Sequence, residues 1–171
     1  MGKVAVLGLG DSLKLYNPEK YDISIGVNDI WRYQQTDVIV CLDKRKAFTH
    51  DRLVVIDASK PKEFYSQVAN WNVRNDFRQI QLTSFYPATD INLDLPKFYK
   101  SYCSPFVACQ IAWRYYGATE IHLFGVDMVN HPHLNQELCK QIKNHFNRLV
   151  TALDKKGCKF IVYGEGILNN M

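Results

Sequence analysis

Short apolar runs rich in Val, Ile and Leu recur along the chain, separated by polar segments with helical spacing. Runs at Lys3 to Leu7, Ile23 to Val27, Val38 to Leu42, Leu53 to Ile56, Glu120 to Phe124 and Lys159 to Tyr163 read as buried strands. Pro61 to Asn70 reads as a helix opened by proline, and Ile30 to Gln34 as a short one. Ser104 to Tyr116 reads as a helix capped by Ser104, stopped by Gly117 and apolar nearly all round. In the last helix Leu138, Ile142, Phe146, Leu149 and Leu153 share one stripe, ahead of Lys155-Lys156-Gly157. Alternation of this kind predicts an α/β fold: a single Rossmann-like, doubly wound, mostly parallel sheet with helices on both faces. Residues 72–102 hold neither period for long and read as an irregular insertion or flap within a single domain spanning 1–171.

Composition narrows the class. The 171 residues suffice for one well-buried core, and 47% hydrophobic with 22% charged residues is ordinary for a soluble globular chain. A net charge of +4, with basic residues scattered except at Lys44-Arg45-Lys46, argues against a nucleic-acid surface and suits a small anionic ligand. No run reaches the roughly 20 apolar residues of a membrane span, and no signal-peptide pattern opens the chain, so a cytoplasmic protein is expected. Cys41, Cys103, Cys109, Cys139 and Cys158 lack zinc or disulfide spacing and read as free, buried thiols. The aromatic load, Trp31, Trp71 and Trp113 among it, leaves room for a self-association surface and a homo-oligomer.

In an open α/β sheet, ligands lie beyond the carboxyl ends of the strands. Gly8, Gly10, Asp11 and Ser12 follow the first strand, Asn28 and Asp29 the second, and Asp43 the third. Gly125-Val-Asp127 ends the strand near residue 120, ahead of His131 and His133, and Gly164-Glu165-Gly166 ends the last. Each has a plainer role. Gly8 and Gly10 could only shape a turn, Asn28 and Asp29 could cap the following helix, Asp127 could cap a turn, and either histidine could sit in a solvated loop. His122, in a strand, and His145, on a helix, read as structural. Asp29 stands 19 residues beyond Gly10, near the ribose-binding acid of a dinucleotide fold, but Leu13 replaces the third fingerprint glycine and Asp11 would face the pyrophosphate. Nicotinamide chemistry is disfavoured.

Gly8-Leu-Gly-Asp-Ser-Leu13, Ile25-Gly-Val-Asn28, Val38-Ile-Val-Cys-Leu-Asp43, Ser104-Pro-Phe-Val-Ala-Cys-Gln-Ile-Ala112 and Ala118-Thr-Glu-Ile-His-Leu-Phe-Gly-Val-Asp127 together resemble the bacterial sialyltransferase-like family. Archaeal pterin pyrophosphokinases share the same start and the same Gly-x-Asp strand end. The resemblance implies a CMP-sugar donor, with Gly8, Gly10 and Ser12 as the phosphate turn, Asn28 as a base or ribose contact and Ser104 as a donor to the phosphate or sugar carboxylate. It makes His131 or His133 the general base that deprotonates an acceptor hydroxyl, and it requires no metal. The chain departs from the family at Asp11, where proline is usual, at Pro105, where glycine follows the serine, and at Tyr163-Gly-Glu-Gly166 in place of Pro-x-Ser. Two other classes stay open. One is a non-catalytic nucleotide-binding or sequestering module; the other is a pyrophosphokinase-like enzyme with magnesium on Asp43 and Asp127.

Overall fold

The computed structural model describes residues 2–127, 135–166 and 168. Seven strands form one sheet with every neighbouring pair parallel: β1 (Lys3–Leu7), β2 (Ile23–Val27), β3 (Val38–Val40), β4 (Glu63–Ser66), β5 (Phe77–Gln79), β6 (Glu120–Phe124) and β7 (Lys159–Val162). Their order is β5-β4-β3-β2-β1-β6-β7. The chain therefore walks outward from β1 to β5, then returns to place β6 on the other side of β1. That reversal creates a topological switch point between β1 and β6, and the fold is the expected open, Rossmann-like α/β sheet.

Central strands here must be apolar on both sides, because parallel sheets are covered on both faces. Val4, Val6, Ile25, Val38, Val40, Ile121 and Leu123 enter one core with α2 (Ser104–Tyr116) and α3 (Gln136–Lys155). Ala5, Leu7, Ile39, Cys41, Phe64 and Phe124 enter the other with α1 (His50–Ala58) and the aromatics Phe48, Trp71, Tyr16, Tyr21 and Tyr163. Gly117 ends α2 in the left-handed region at φ 63°, and the Asn135 side chain caps α3 by accepting from the Leu138 amide at 2.9 Å. No described helix is long and apolar enough to cross a membrane. All five cysteines are free, with Cys41, Cys109 and Cys158 buried.

Two elements are the reverse of the sequence reading. Leu53 to Ile56, expected as a strand, lies inside α1, where Ile56 is buried and Val54 is 51% exposed. Pro61 to Asn70, expected as a helix, contains β4 and a 3-10 turn at Ala69–Trp71. The reason is connectivity. β3 and β4 pair in parallel, so a crossover must lie between them, and only the Leu53 region is available to supply it. The short helix expected at Ile30 to Gln34 is a 3-10 turn over Ile30–Arg32, and Ser104 is the first residue of α2, with Cys103 in the cap position.

Within 72–102 the chain adds β5 beside β4 and then lies along α2. Gln110 holds both the amide and the carbonyl of Tyr99 at 2.8 Å, and Arg114 donates to the Leu93 carbonyl at 2.8 Å while its guanidinium covers the Phe98 ring.

Candidate functional site

At the switch point the turns after β1 and β6 are fused by backbone. The Gly8 amide donates to the Phe124 carbonyl at 2.8 Å and the Gly10 amide to the Gly125 carbonyl at 2.7 Å. The Gly125 amide donates to Ser12 Oγ at 2.7 Å, and the Ser12 amide donates to Asp127 Oδ2 at 2.9 Å. A Cβ on Gly8 would stand 2.5 Å from the Gly125 carbonyl oxygen, and one on Gly10 would stand 2.5 Å from Asp127 Oδ2. The two glycines are thus demanded by the β1–β6 junction itself, whatever else approaches them. A Cβ on Gly164, beyond β7, would likewise meet Asp127 Oδ1 at 2.5 Å, so Asp127 sits where three strand ends meet.

This geometry redistributes the anion-binding capacity expected of the turn. The amides of Gly8, Gly10, Ser12 and Leu13 already have acceptors, one of them a carboxylate. Leu9 and Asp11 are the positions in this stretch whose amides have no acceptor among the described residues, and both side chains are exposed. Their amides are the ones that could meet a ligand.

Asn28 follows β2 in the left-handed conformation, φ 52°, the one described non-glycine residue at positive φ. Its amide donates to the Val40 carbonyl at 3.2 Å, but its Oδ1 is buried with no hydrogen-bond partner among the described residues. A strained backbone holding an orphaned acceptor is costly, and such features concentrate where a ligand completes the site. Asp29 is differently used. Only 5% exposed, it receives Arg52 Nε and Nη2 on Oδ1 at 3.1 and 2.9 Å, and faces Arg32 Nε at 3.5 Å; its side chain caps no helix. Asp43, after β3, has an exposed side chain, and its carbonyl accepts from Trp71 Nε1 at 2.9 Å. Among the described residues no three His, Cys, Asp or Glu side chains gather as a metal site.

The N-terminus of α2 reaches the same edge. Its C-terminal end leads through Thr119, which donates to the Gly2 carbonyl at the amino end of the sheet, directly into β6, so Ser104 must lie at the carboxyl end. Pro105 removes one amide there. His131 and His133 lie outside the described residues.

A histidine that sequence reading set aside is found close by. His145 of α3 is only 6% exposed; its Nδ1 is 2.7 Å from Ser101 Oγ, and its ring stacks within 6.0 Å of Tyr86 and Tyr102 and lies 6.1 Å from Phe106 in the first turn of α2. The signal was present in the stripe: residue 145 falls three after Ile142 and four before Leu149, a core position given to an imidazole.

Burial, reinforced by the Arg148 guanidinium, lowers the His145 pKa below 6.5; burial and Lys3 do the same for His122, against the opposing pull of Glu120. His122 is held by Tyr21 and Tyr163 hydroxyls at 2.9 and 3.0 Å on Nδ1. In the unfolded chain both rings bind protons near pH 6.5, so folding opposes protonation. The stability this neutrality represents is complete above pH 6.5 and is lost as pH falls through the lowered folded values. Asp51 and Asp57, whose pKa values lie below 3.8, do not titrate in that window. Urea midpoints are expected to fall between pH 7.5 and 5.5 and to fall less in a His122→Asn variant; equal midpoints in the parent would contradict this.

No family model matches the chain, and no curated protein matches it. Among solved structures, the chain is similar to a mutant of the alpha-2,3/8-sialyltransferase CstII, with a TM-score of 0.53, 12% identity, and coverage of 94% of this chain and 80% of that one. It is similar also to the sialyltransferase CstII from Campylobacter jejuni, solved in complex with the substrate analogue CMP-3FNeuAc, with a TM-score of 0.50, 16% identity, and coverage of 95% and 79%. At such identities the shared property is the architecture: this chain has a sialyltransferase-like, Rossmann-type fold.

Proposed function

We propose that the chain binds a sugar nucleotide across the carboxyl ends of β1, β2 and β6 and transfers its glycosyl group to an acceptor hydroxyl. The observation that carries this reading is Asn28: a left-handed backbone and a buried, unpartnered Oδ1 at the edge where an open α/β sheet takes its ligand. An amide or amino group of a base, or a ribose hydroxyl, would satisfy that oxygen. The Leu9 and Asp11 amides and the Ser104 end of α2 would face the phosphate, while Gly8, Gly10, Ser12 and Asp127 keep the platform in place. The CMP-sugar complex of a fold neighbour favours a cytidine nucleotide.

Isothermal titration with CMP, a CMP-sugar, a UDP-sugar, ATP with magnesium and NAD tests the reading, with saturable heat for CMP expected. Asn28→Gly sharpens it. Glycine tolerates φ 52°, and the orphaned oxygen is removed, so stability is expected to hold or rise by up to about 1 kcal/mol. CMP affinity should nevertheless drop about tenfold, or about 1.4 kcal/mol. A variant that binds CMP as tightly as the parent would remove Asn28 from the site, and a parent that gives no heat with any nucleotide would overturn the proposal.

A further inference from the structure

His145 lies at the level of the ligand-binding edge. α3 ends at Lys155 and passes within a few residues to the amino end of β7, so its last ten residues rise about 15 Å, close to the roughly 16 Å length of a five-residue parallel strand. That brings the imidazole level with the carboxyl ends of the sheet, beside the first turn of α2, as the Phe106 ring at 6.1 Å requires. Ser101 stands three residues before Ser104 and is half-buried, whereas His145 is enclosed by Tyr86, Tyr102 and Phe106. The pair joins the hydroxyl of a half-buried serine to a buried ring at 2.7 Å. His145 Nε2 has no hydrogen-bond partner among the described residues, so a proton gained by the ring is not locked into a carboxylate.

We propose that Ser101 and His145 form a proton relay for glycosyl transfer, the serine hydroxyl meeting the acceptor and the buried imidazole taking the proton. The proposal rests on the sugar-nucleotide reading above. In the step, the acceptor O–H passes its proton to Ser101 Oγ as the Ser101 proton moves to His145 Nδ1. The acceptor oxygen bonds to the anomeric carbon, and the bond from that carbon to the phosphate oxygen breaks, its electron pair leaving with the nucleotide. The imidazolium returns to neutrality by losing a proton to solvent. Such a relay needs Nδ1 unprotonated at the start. Burial, with Arg148 on the same helix, favours the neutral ring, in which one of the two nitrogens is free of a proton; Lys100, over the Tyr86 ring at 4.5 Å, and the Tyr86 and Tyr102 phenols stacked on the imidazole are the other charged or titratable groups beside it. A merely structural histidine could equally donate from Nδ1 to Ser101, so the tautomer is decisive.

Nitrogen-15 NMR of the imidazoles in the full chain, assigned with His145→Gln, reads the tautomer without any ligand. The expected form carries its proton on Nε2 and titrates below pH 6.5; a proton on Nδ1 overturns the relay whether or not the chain binds nucleotide. Turnover of a CMP-sugar provides the second arm. His145→Gln and Ser101→Ala should each lower kcat by about 10² to 10⁴ with CMP affinity unchanged, and Ser101→Thr should recover most of the loss. The parent kcat should fall at acid pH with the titration of His145, a limb that Ser101→Ala lacks. Turnover within about twofold of the parent in Ser101→Ala, which fills little space and leaves the core intact, overturns the proposal, as does a parent that binds CMP but turns over no donor. Absence of CMP binding by the parent refutes instead the sugar-nucleotide reading, leaving the tautomer to judge the pair.

Discussion

Gly125→Ala is expected to destabilise the chain by about 3–5 kcal/mol, a large part of what holds a domain of this size folded. Two costs add. Gly125 sits at φ 71°, where an L side chain is strained, and its Cβ would land on the Gly8 carbonyl group and within 3.2 Å of the Gly10 amide nitrogen. Those atoms belong to the backbone of the β1 turn and are pinned by the Phe124 and Gly125 carbonyls, so they cannot rotate aside as a side chain would. Gly117→Ala supplies the control: φ is 63°, yet nothing lies within 4 Å of the added methyl, and only the conformational cost of about 1 kcal/mol should appear. Urea unfolding followed by circular dichroism separates the two; similar losses in both variants would mean that the β1–β6 junction is not the tight contact described.

Trp71→Ala should cost a comparable 3–5 kcal/mol. The indole is fully buried, 5.0 Å from the Phe64 ring and 6.3 Å from Phe48, with the Arg45 guanidinium 4.9 Å over its face. On this face of the sheet the described residues provide a single α-helix, nine residues long, so aromatic side chains carry much of the cover that helices supply opposite. Removing the largest of them opens a cavity that α1 is too short to fill. Trp71→Phe keeps most of the volume and loses chiefly the hydrogen bond to the Asp43 carbonyl, with an expected loss of about 1–2 kcal/mol and an altered backbone after β3. Equal midpoints for Trp71→Phe and Trp71→Ala would show that the hydrogen bond, not packing, dominates.

Much of the fold can be read from the chain because β1, β2, β3 and β6 are buried on both faces, which forces continuous runs of Val, Ile and Leu that no surface element needs. Leu53 to Ile56 and Pro61 to Asn70 mislead for a related reason. A four-residue apolar run fits a strand or one turn of helix equally, and only the pairing of β3 with β4 decides between them. Strand-end position is legible in the chain, and the structure brings Gly8, Gly10 and Asp127 together at the β1–β6 junction, with Asn28 at the end of β2. Position alone could not distinguish Asp29, held by Arg52 and Arg32, from Asn28, whose oxygen is unmet, since Arg52, which donates to Asp29 twice, stands 23 residues away and leaves no local trace. His145 was hidden by its own helix: an imidazole on an apolar stripe looks like packing until Ser101 appears beside it.

The placement of β1 between β2 and β6 governs when the junction of the β1 and β6 turns can come into being. Residues 3 to 116 hold everything needed for β1 through β5 and the cover of α2, but the partner of the glycine turn arrives only with β6, and Ser12 meets Gly125 across 113 residues of sequence. During synthesis β1 must therefore wait as an exposed, apolar edge until the chain beyond residue 120 emerges and pairs with it. A ribosome-bound chain halted before that point would expose an apolar sheet edge and lack the partner of the glycine turn, so the β1–β6 junction matures late in folding, after the chain through α2 has emerged.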